Sequence, residues 1–360
     1  MRQHLPLLAG LLAAVLTLAA PLAAAESPAV TRAAFLQLIA RPAVPLAPEL
    51  APAVEKNGQL HLAFSYAADA DQRVPAILVR PAPSANSSSS SSLSATARRP
   101  VVISLHGTGG HKEGQVKLLT QFASAGFIGV SIDARYHGAR SKTPKTTVDY
   151  TDAILRAYRA EKATEYPFYY DTVRDVMRLI DYLVTRDDVD PARIGVIGFS
   201  KGGTEAYLAA AADPRIAATV ACIGLQSFRW ALDHDSWQSR IGTIQLAVNA
   251  AARDAGVTTI DAAFIRRFYD RTNPGIYGRF DGPAMLPLIA PRPFLAINGD
   301  TDPRTPVPGL ELCATAARAA YRAAGSEENF TLTIQPKTGH KVNPESLQAA
   351  REWLEKHLRP

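Results

Sequence analysis

Cysteine is scarce: only Cys222 and Cys313 occur in 360 residues, and neither takes part in a metal-ligand spacing. Cys222 lies in an apolar, strand-like run (residues 216–223) and Cys313 in a helix-like one, so two buried free thiols are expected in place of a bridge. Blocks of basic charge are also lacking. The net charge is +6, and the adjacent arginine pairs are Arg98-Arg99 and Arg266-Arg267. Such scatter is a solvated surface, not a nucleic-acid footprint. After the first 25 residues no stretch is apolar for long enough to span a bilayer.

What is present begins with an N-terminal segment to set aside. Met1 to Ala25 has a weakly basic start (Arg2, His4), an apolar run through Leu22, and Ala23-Ala24-Ala25 before Glu26. This reads as a secretory signal with an A-x-A cleavage site, the alternative being an uncleaved anchor. Export implies a secreted or periplasmic protein with no stable membrane insertion once the signal is removed. The length of 26–360 and the 47% hydrophobic content suffice for one large domain.

Leu60 to Tyr66 and Val74 to Arg80 read as an antiparallel hairpin around Asp69 to Arg73. A serine-rich patch at about 84–98 cannot bury surface and is expected to be a disordered loop. From Val101 onward, short β-branched runs alternate with helical ones. Val101 to Leu105 leads into His106-Gly107-Thr108-Gly109-Gly110; a helix (Gln115 to Ala125) and a strand (Phe127 to Ile132) follow; and Asp171 to Val184 places Val173, Val176, Met177, Ile180 and Leu183 on one helical face. The pattern predicts an α/β fold, a mostly parallel sheet with helices on both faces. One long interruption, about 225–291, carries Phe228, Trp230, Trp237, Phe264, Phe268, Tyr269, Tyr277 and Phe280, and is expected to form a helical lid over the sheet edge. Its two tryptophans are better read as packing for the lid than as ligand contacts.

The stretch from Arg193 to Glu205, RIGVIGFSKGGTE, joins a buried-strand run to an Ala-rich helical one with Ser200 at the join. Gly198, Gly202 and Gly203 suit the sharp turn that lifts such a serine clear of the sheet, the G-x-S-x-G elbow. Two further strand-like runs end in loops with the matching chemistry. Pro293 to Ile297 opens into a loop with Asp300 and Asp302, and Phe330 to Ile334 leads to His340. A serine hydroxyl is a poor nucleophile until an imidazole takes its proton, and the imidazole needs a carboxylate to fix its tautomer. Ser, Asp and His in this order, each after a strand, can share one sheet edge. Asp300 competes with Asp302 for the carboxylate role, and it can instead brace the turn. His106, His111, Asp133 and His137 invite a metal reading, which a serine triad makes unnecessary; no cofactor is expected.

Together, Arg73-Val74-Pro75-Ala76, HGTGG from His106, the D-x-R-x-H-G run from Asp133, DVDPARIGVIGFSKGG ending at Gly203, Gly299 through Asp302 to Pro306, and Gly339-His340 resemble an α/β-hydrolase. The likeness points to the branch of dienelactone hydrolases, acetyl esterases and prolyl-oligopeptidase-like peptidases. It implies Ser200 as nucleophile, His340 as base and then acid, Asp302 as the orienting carboxylate, and an oxyanion hole from the amides of Thr108 and Lys201. A small-molecule ester is the implied substrate. A peptidase is the alternative, against which residues 26–59 are too short for a gating β-propeller. A third reading is a non-catalytic binding protein on the same fold.

Overall fold

The computed structural model describes residues 26–83, 98–143 and 146–359. The expected secretory segment, 1–25, and nearly all of the serine-rich stretch lie outside them. Helix α1 (Pro28–Ile39) starts where Ser27 accepts from the Val30 amide and Pro28 pre-sets the first turn. Phe35 and Ile39, one turn apart, bury its inner face. Short strands β1 (Glu49–Leu50) and β2 (Val54–Lys56) each pair antiparallel with β3 (Gln59–Asp69). The hairpin partner is β4 (Gln72–Pro81), with one bulge between Ala67 and Asp69.

Strand–helix alternation then builds the rest. It runs β5 (Arg99–Leu105), α2 (Val116–Ser124), β6 (Ile128–Ile132), α3 (Thr146–Arg159), α4 (Tyr170–Leu183), β7 (Val189–Phe199), α5 (Lys201–Ala212) and β8 (Ile216–Cys222). Five short helices follow: α6 (Phe228–Asp233), α7 (Gln238–Ile241), α8 (Gln245–Asp254), α9 (Ala262–Thr272) and α10 (Gly282–Met285). The chain returns to the sheet with β9 (Phe294–Gly299), α11 (Val307–Ala323), β10 (Phe330–Gln335) and α12 (Pro344–Leu358).

The sheet order is β1-β3-β4-β6-β5-β7-β8-β9-β10, with β2 on β3, and every pairing from β6 to β10 along this path is parallel. From β5 the chain steps to β6 on one side and returns to β7 on the other. The strand order therefore reverses at β5, and the crevice beyond the carboxyl ends of β5 and β7 is where such sheets bind ligands.

Period-2 alternation feeds two cores. Val101, Ile103, Leu105 and Val196 face the larger one with α1, α4 and α5. Val102, Ile197 and Val220 face the other, where Leu118 and Phe122 of α2 and Ala350, Leu354 and Leu358 of α12 cover them. Each fully buried large aliphatic of this kind stabilises the fold by roughly 1.5–3 kcal/mol.

The segment expected as a lid is rooted in this core. Phe228, Phe264, Phe268, Tyr269 and Phe280 are all buried in the larger cluster. So many aromatics could not swing off a sheet edge without returning their area to water. Ser227 caps α6 by accepting from the Trp230 amide at 3.0 Å, and Asp281 ties both ends of the segment by accepting from Ser227 Oγ and the Phe228 amide at 2.7 Å. Trp230 stacks on His234 with ring centroids 4.7 Å apart, and Trp237 donates to Asp235 at 2.7 Å. Both cysteines are buried and free. Among the described residues no helix is long and apolar enough to cross a membrane.

Candidate active site

Strand β7 ends at Phe199 and α5 begins at Lys201, so Ser200 alone makes the turn, at φ 56° and ψ −113°. A non-glycine residue held there costs about 1–3 kcal/mol and must be fixed by its surroundings. The Ser200 amide donates to Cys222 O of β8 at 2.8 Å, and the backbone packs so tightly that a Cβ on Gly198 would lie 1.9 Å from Gly202 O. The strain turns Ser200 Oγ out of the sheet and toward His340.

His340 comes from the loop after β10, pinned by its own strand. Buried Gln335 donates to Lys341 O at 2.9 Å and accepts from the Asn343 amide at 2.7 Å. The loop after β9 is stapled to it: Asp300 accepts from the amides of Lys337 and Thr338, both at 2.9 Å, and the Thr301 amide donates to Thr338 O at 3.1 Å. In this frame His340 Nε2 lies 2.8 Å from Ser200 Oγ and Nδ1 lies 2.7 Å from Asp302 Oδ2. Asp302 also accepts from the Arg304 amide and from Thr305 Oγ1, both at 2.8 Å. Burial pushes its carboxyl up, but the His340, Arg304 and Thr305 hydrogen bonds outweigh that and hold it below the usual aspartate value.

The loop after β5 passes against the elbow. A Cβ on Gly107 would sit 3.3 Å from Phe199 O and 3.5 Å from Ser200 Cβ, which brings the Gly107-Thr108 backbone beside the serine. The Lys201 amide is the first of α5 and has no intrahelical acceptor. The Lys201 side chain forms a buried ion pair with Glu205, one turn on. The loop histidines are bonded within the fold. His106 Nε2 accepts from the Ala134 amide at 3.1 Å, His137 Nδ1 contacts Arg135 O at 2.7 Å, and Asp133 accepts from the Lys112 amide and ammonium at 2.8 Å.

A narrow cleft opens over Ser200 and His340. Sequence reasoning missed three of its walls: Tyr169, Arg240 and Arg304. Tyr169 holds a strained φ of 79° at the start of α4, and Arg240 arrives from α7. Of the three, Arg304 alone carried a local signal, its place two residues after Asp302.

A family model described as acetyl xylan esterase matches residues 60–238, and one described as glucuronyl esterase, fungi, matches residues 172–325. A curated relative, the putative hydrolase YtaP of Bacillus subtilis (strain 168), is 27% identical over 186 residues, which are 51% of this chain and 53% of that protein. The chain thus spans about half the length of the curated relative it matches. The solved acetyl xylan esterase 1 from Thermoanaerobacterium sp. JW/SL YS485 superposes with a TM-score of 0.66 at 17% identity, covering 93% of this chain and 94% of that one. A glucuronoyl esterase from Solibacter usitatus gives 0.59 at 16% identity, covering 91% and 92%. Methylesterase BT1017 gives 0.61 at 18% identity, covering 91% of this chain and 63% of that one. With this sheet order, this elbow and these structural neighbours, the chain has the α/β-hydrolase fold.

Proposed function

We propose that the protein is an exported serine esterase that cleaves carboxylic esters through an acyl-enzyme. The observation that carries this reading is the contact chain Ser200 Oγ to His340 Nε2 (2.8 Å) to Asp302 (2.7 Å) at the crevice where strand order reverses. Ser200 Oγ attacks the acyl carbon as its proton passes to His340 Nε2. Asp302 keeps the proton of the free imidazole on Nδ1 and steadies the imidazolium that forms. The amides of Thr108 and Lys201 hold the oxyanion, an arrangement in which loss of one donor costs about 10² to 10³ in rate. His340 then protonates the leaving alcohol, and a water that it deprotonates releases the acid and restores Ser200. The two matched esterase families favour ester over amide substrates, and the small cleft suits a short acyl group. The A-x-A pattern ending at Ala25 is the support for export.

The test is twofold. A fluorophosphonate probe should label the native chain and leave Ser200→Ala unlabelled, and p-nitrophenyl acetate should turn over while an aminoacyl anilide does not. Full hydrolysis by Ser200→Ala, or preference for the anilide, would overturn the reading.

A further inference from the structure

Among the described residues, Arg135, Arg140 and Arg292 are buried or half-buried guanidiniums bonded to carboxylates or carbonyls, whereas Arg240, beside the candidate active site, is not. Arg135 forks onto Asp175 and reaches Asp69, and Arg140 reaches Asp175. Arg292 donates to the carbonyls of Ala210, Asp213 and Ile216. Arg240 is 7% exposed, yet among the described residues it has no carboxylate partner, and its Nε is buried with no acceptor. Its one compensation is the face of Phe228, 5.4 Å from the guanidinium carbon. A cation removed from water without a counter-ion is costly, so this position is incomplete as it stands.

Arg240 shares the cleft with a second unpaired guanidinium. Arg304 is half-buried, its amide is tied to Asp302 at 2.8 Å, and its side chain has no hydrogen bond or ion pair among the described residues. Both arginines line the walls that also hold Ser200, His340 and Tyr169. Among the described residues no carboxylate lines that cleft: Asp302 is saturated by its own partners, and Glu205 is paired with Lys201. The cleft therefore carries uncompensated positive charge in a fork-shaped form that matches a planar two-oxygen anion.

We propose that Arg240 and Arg304 form a carboxylate-binding subsite, so that the preferred substrate is an ester carrying a second, free carboxylate. This rests on the esterase reading above and adds the substrate class. The carboxylate can belong to the acyl group or to the alcohol, and the arms of the test separate the two. Arg240 is supplied by the inserted helices, which gives that segment a recognition role at the site.

The experiment compares kcat/KM for matched pairs after subtraction of the spontaneous rate. Phenyl hemisuccinate against phenyl butyrate probes the acyl side, and 4-acetoxybenzoate against phenyl acetate probes the alcohol side. The anionic member of at least one pair should be favoured by about tenfold or more, and the preference should shrink as salt rises. Arg240→Gln and Arg304→Gln should each bring that ratio toward one through KM. Arg304 is the less buried, so its variant gives an answer if Arg240→Gln folds poorly. Ratios at or below one in both pairs, or a preference that survives both substitutions, would overturn the subsite. With Ser200 still labelled by a phosphonate, that result would leave the esterase reading standing. Should no ester turn over and Ser200 resist the probe, the esterase reading fails instead. The subsite is then judged by binding to Ser200→Ala, where monomethyl succinate should bind about tenfold tighter than dimethyl succinate and equal affinity would sink it.

Discussion

Asp300 and Asp302 stand in one loop and turn to different partners: Asp302 Oδ2 meets His340 Nδ1 at 2.7 Å, whereas Asp300 accepts from the backbone amides of Lys337 and Thr338. One carboxylate orients the ring, and the other positions the loop that carries it. On the proposed mechanism, Asp302→Asn should lower kcat by about 10³ to 10⁴ with the fold intact, because an amide no longer holds the imidazole in the required tautomer. Asp300→Asn should change kcat by less than about tenfold and lower the thermal midpoint, since only its amide contacts weaken. Turnover and thermal unfolding of the two variants side by side check this; equal catalytic losses would contradict the division.

The sheet was readable because its strands are short apolar runs bounded by turn residues, as at Pro293 to Ile297 and Phe330 to Ile334. Ser200, Asp302 and His340 were readable for the same reason, each following such a run. The i,i+4 spacing of Lys201 and Glu205 was also in plain view, and it accounts for a lysine next to the serine. Arg240 and Tyr169 were not readable. Their places depend on how the inserted helices pack on α4 and the core, a tertiary outcome with no local signature. The aromatic content of that insertion suggested a lid, and the same aromatics, by burying, make it a wall.

The elbow geometry rests on backbone contact closer than any side chain permits. A methyl at Gly198 would come 1.9 Å from Gly202 O and 2.9 Å from the Gly203 amide, both backbone atoms that cannot rotate away. Gly198→Ala should therefore destabilise by about 3 kcal/mol or more, beyond ordinary overpacking, and lose phosphonate labelling as Ser200 leaves its strained φ. Gly114→Ala, at a position with nothing within 4 Å of the added Cβ, serves as the control and should stay near wild type. A Gly198→Ala protein with native midpoint and labelling would refute the argument.

Lys201 and Glu205 lie 1% exposed beneath the elbow, and burial drives the ammonium downward and the carboxyl upward while each charge resists the other's neutralisation. Removing one partner leaves a buried charge alone. Lys201→Met should cost about 3–5 kcal/mol in urea unfolding, as should Glu205→Leu, and the double variant should recover most of that loss because two apolar chains need no counter-ion. Additive losses in the double variant would mean that the pair is not coupled.

His106 should make the fold sensitive to mild acid. Its Nδ1 lies 2.8 Å from Gly107 O and its Nε2 accepts from the Ala134 amide, so protonation would break a buried contact. Burial, reinforced by the nearby Lys201 charge and opposed by Gly107 O and Asp133, lowers its pKa from 6.5 to about 4; His137, with ring centroid 5.3 Å away, is lowered to about 2. The sign follows from proton counting. Above pH 6.5 both folded and unfolded forms are neutral and stability is flat; as pH falls toward 4, the unfolded chain binds protons that the folded chain refuses, and stability drops. At pH 5 the loss from His106 alone should be roughly 2 kcal/mol relative to pH 7.5. Urea unfolding of wild type and His106→Gln across pH 7.5 to 5 checks this: the variant starts less stable but should lose less on acidification, by about that amount, whereas parallel curves would show that His106 is not the group responsible.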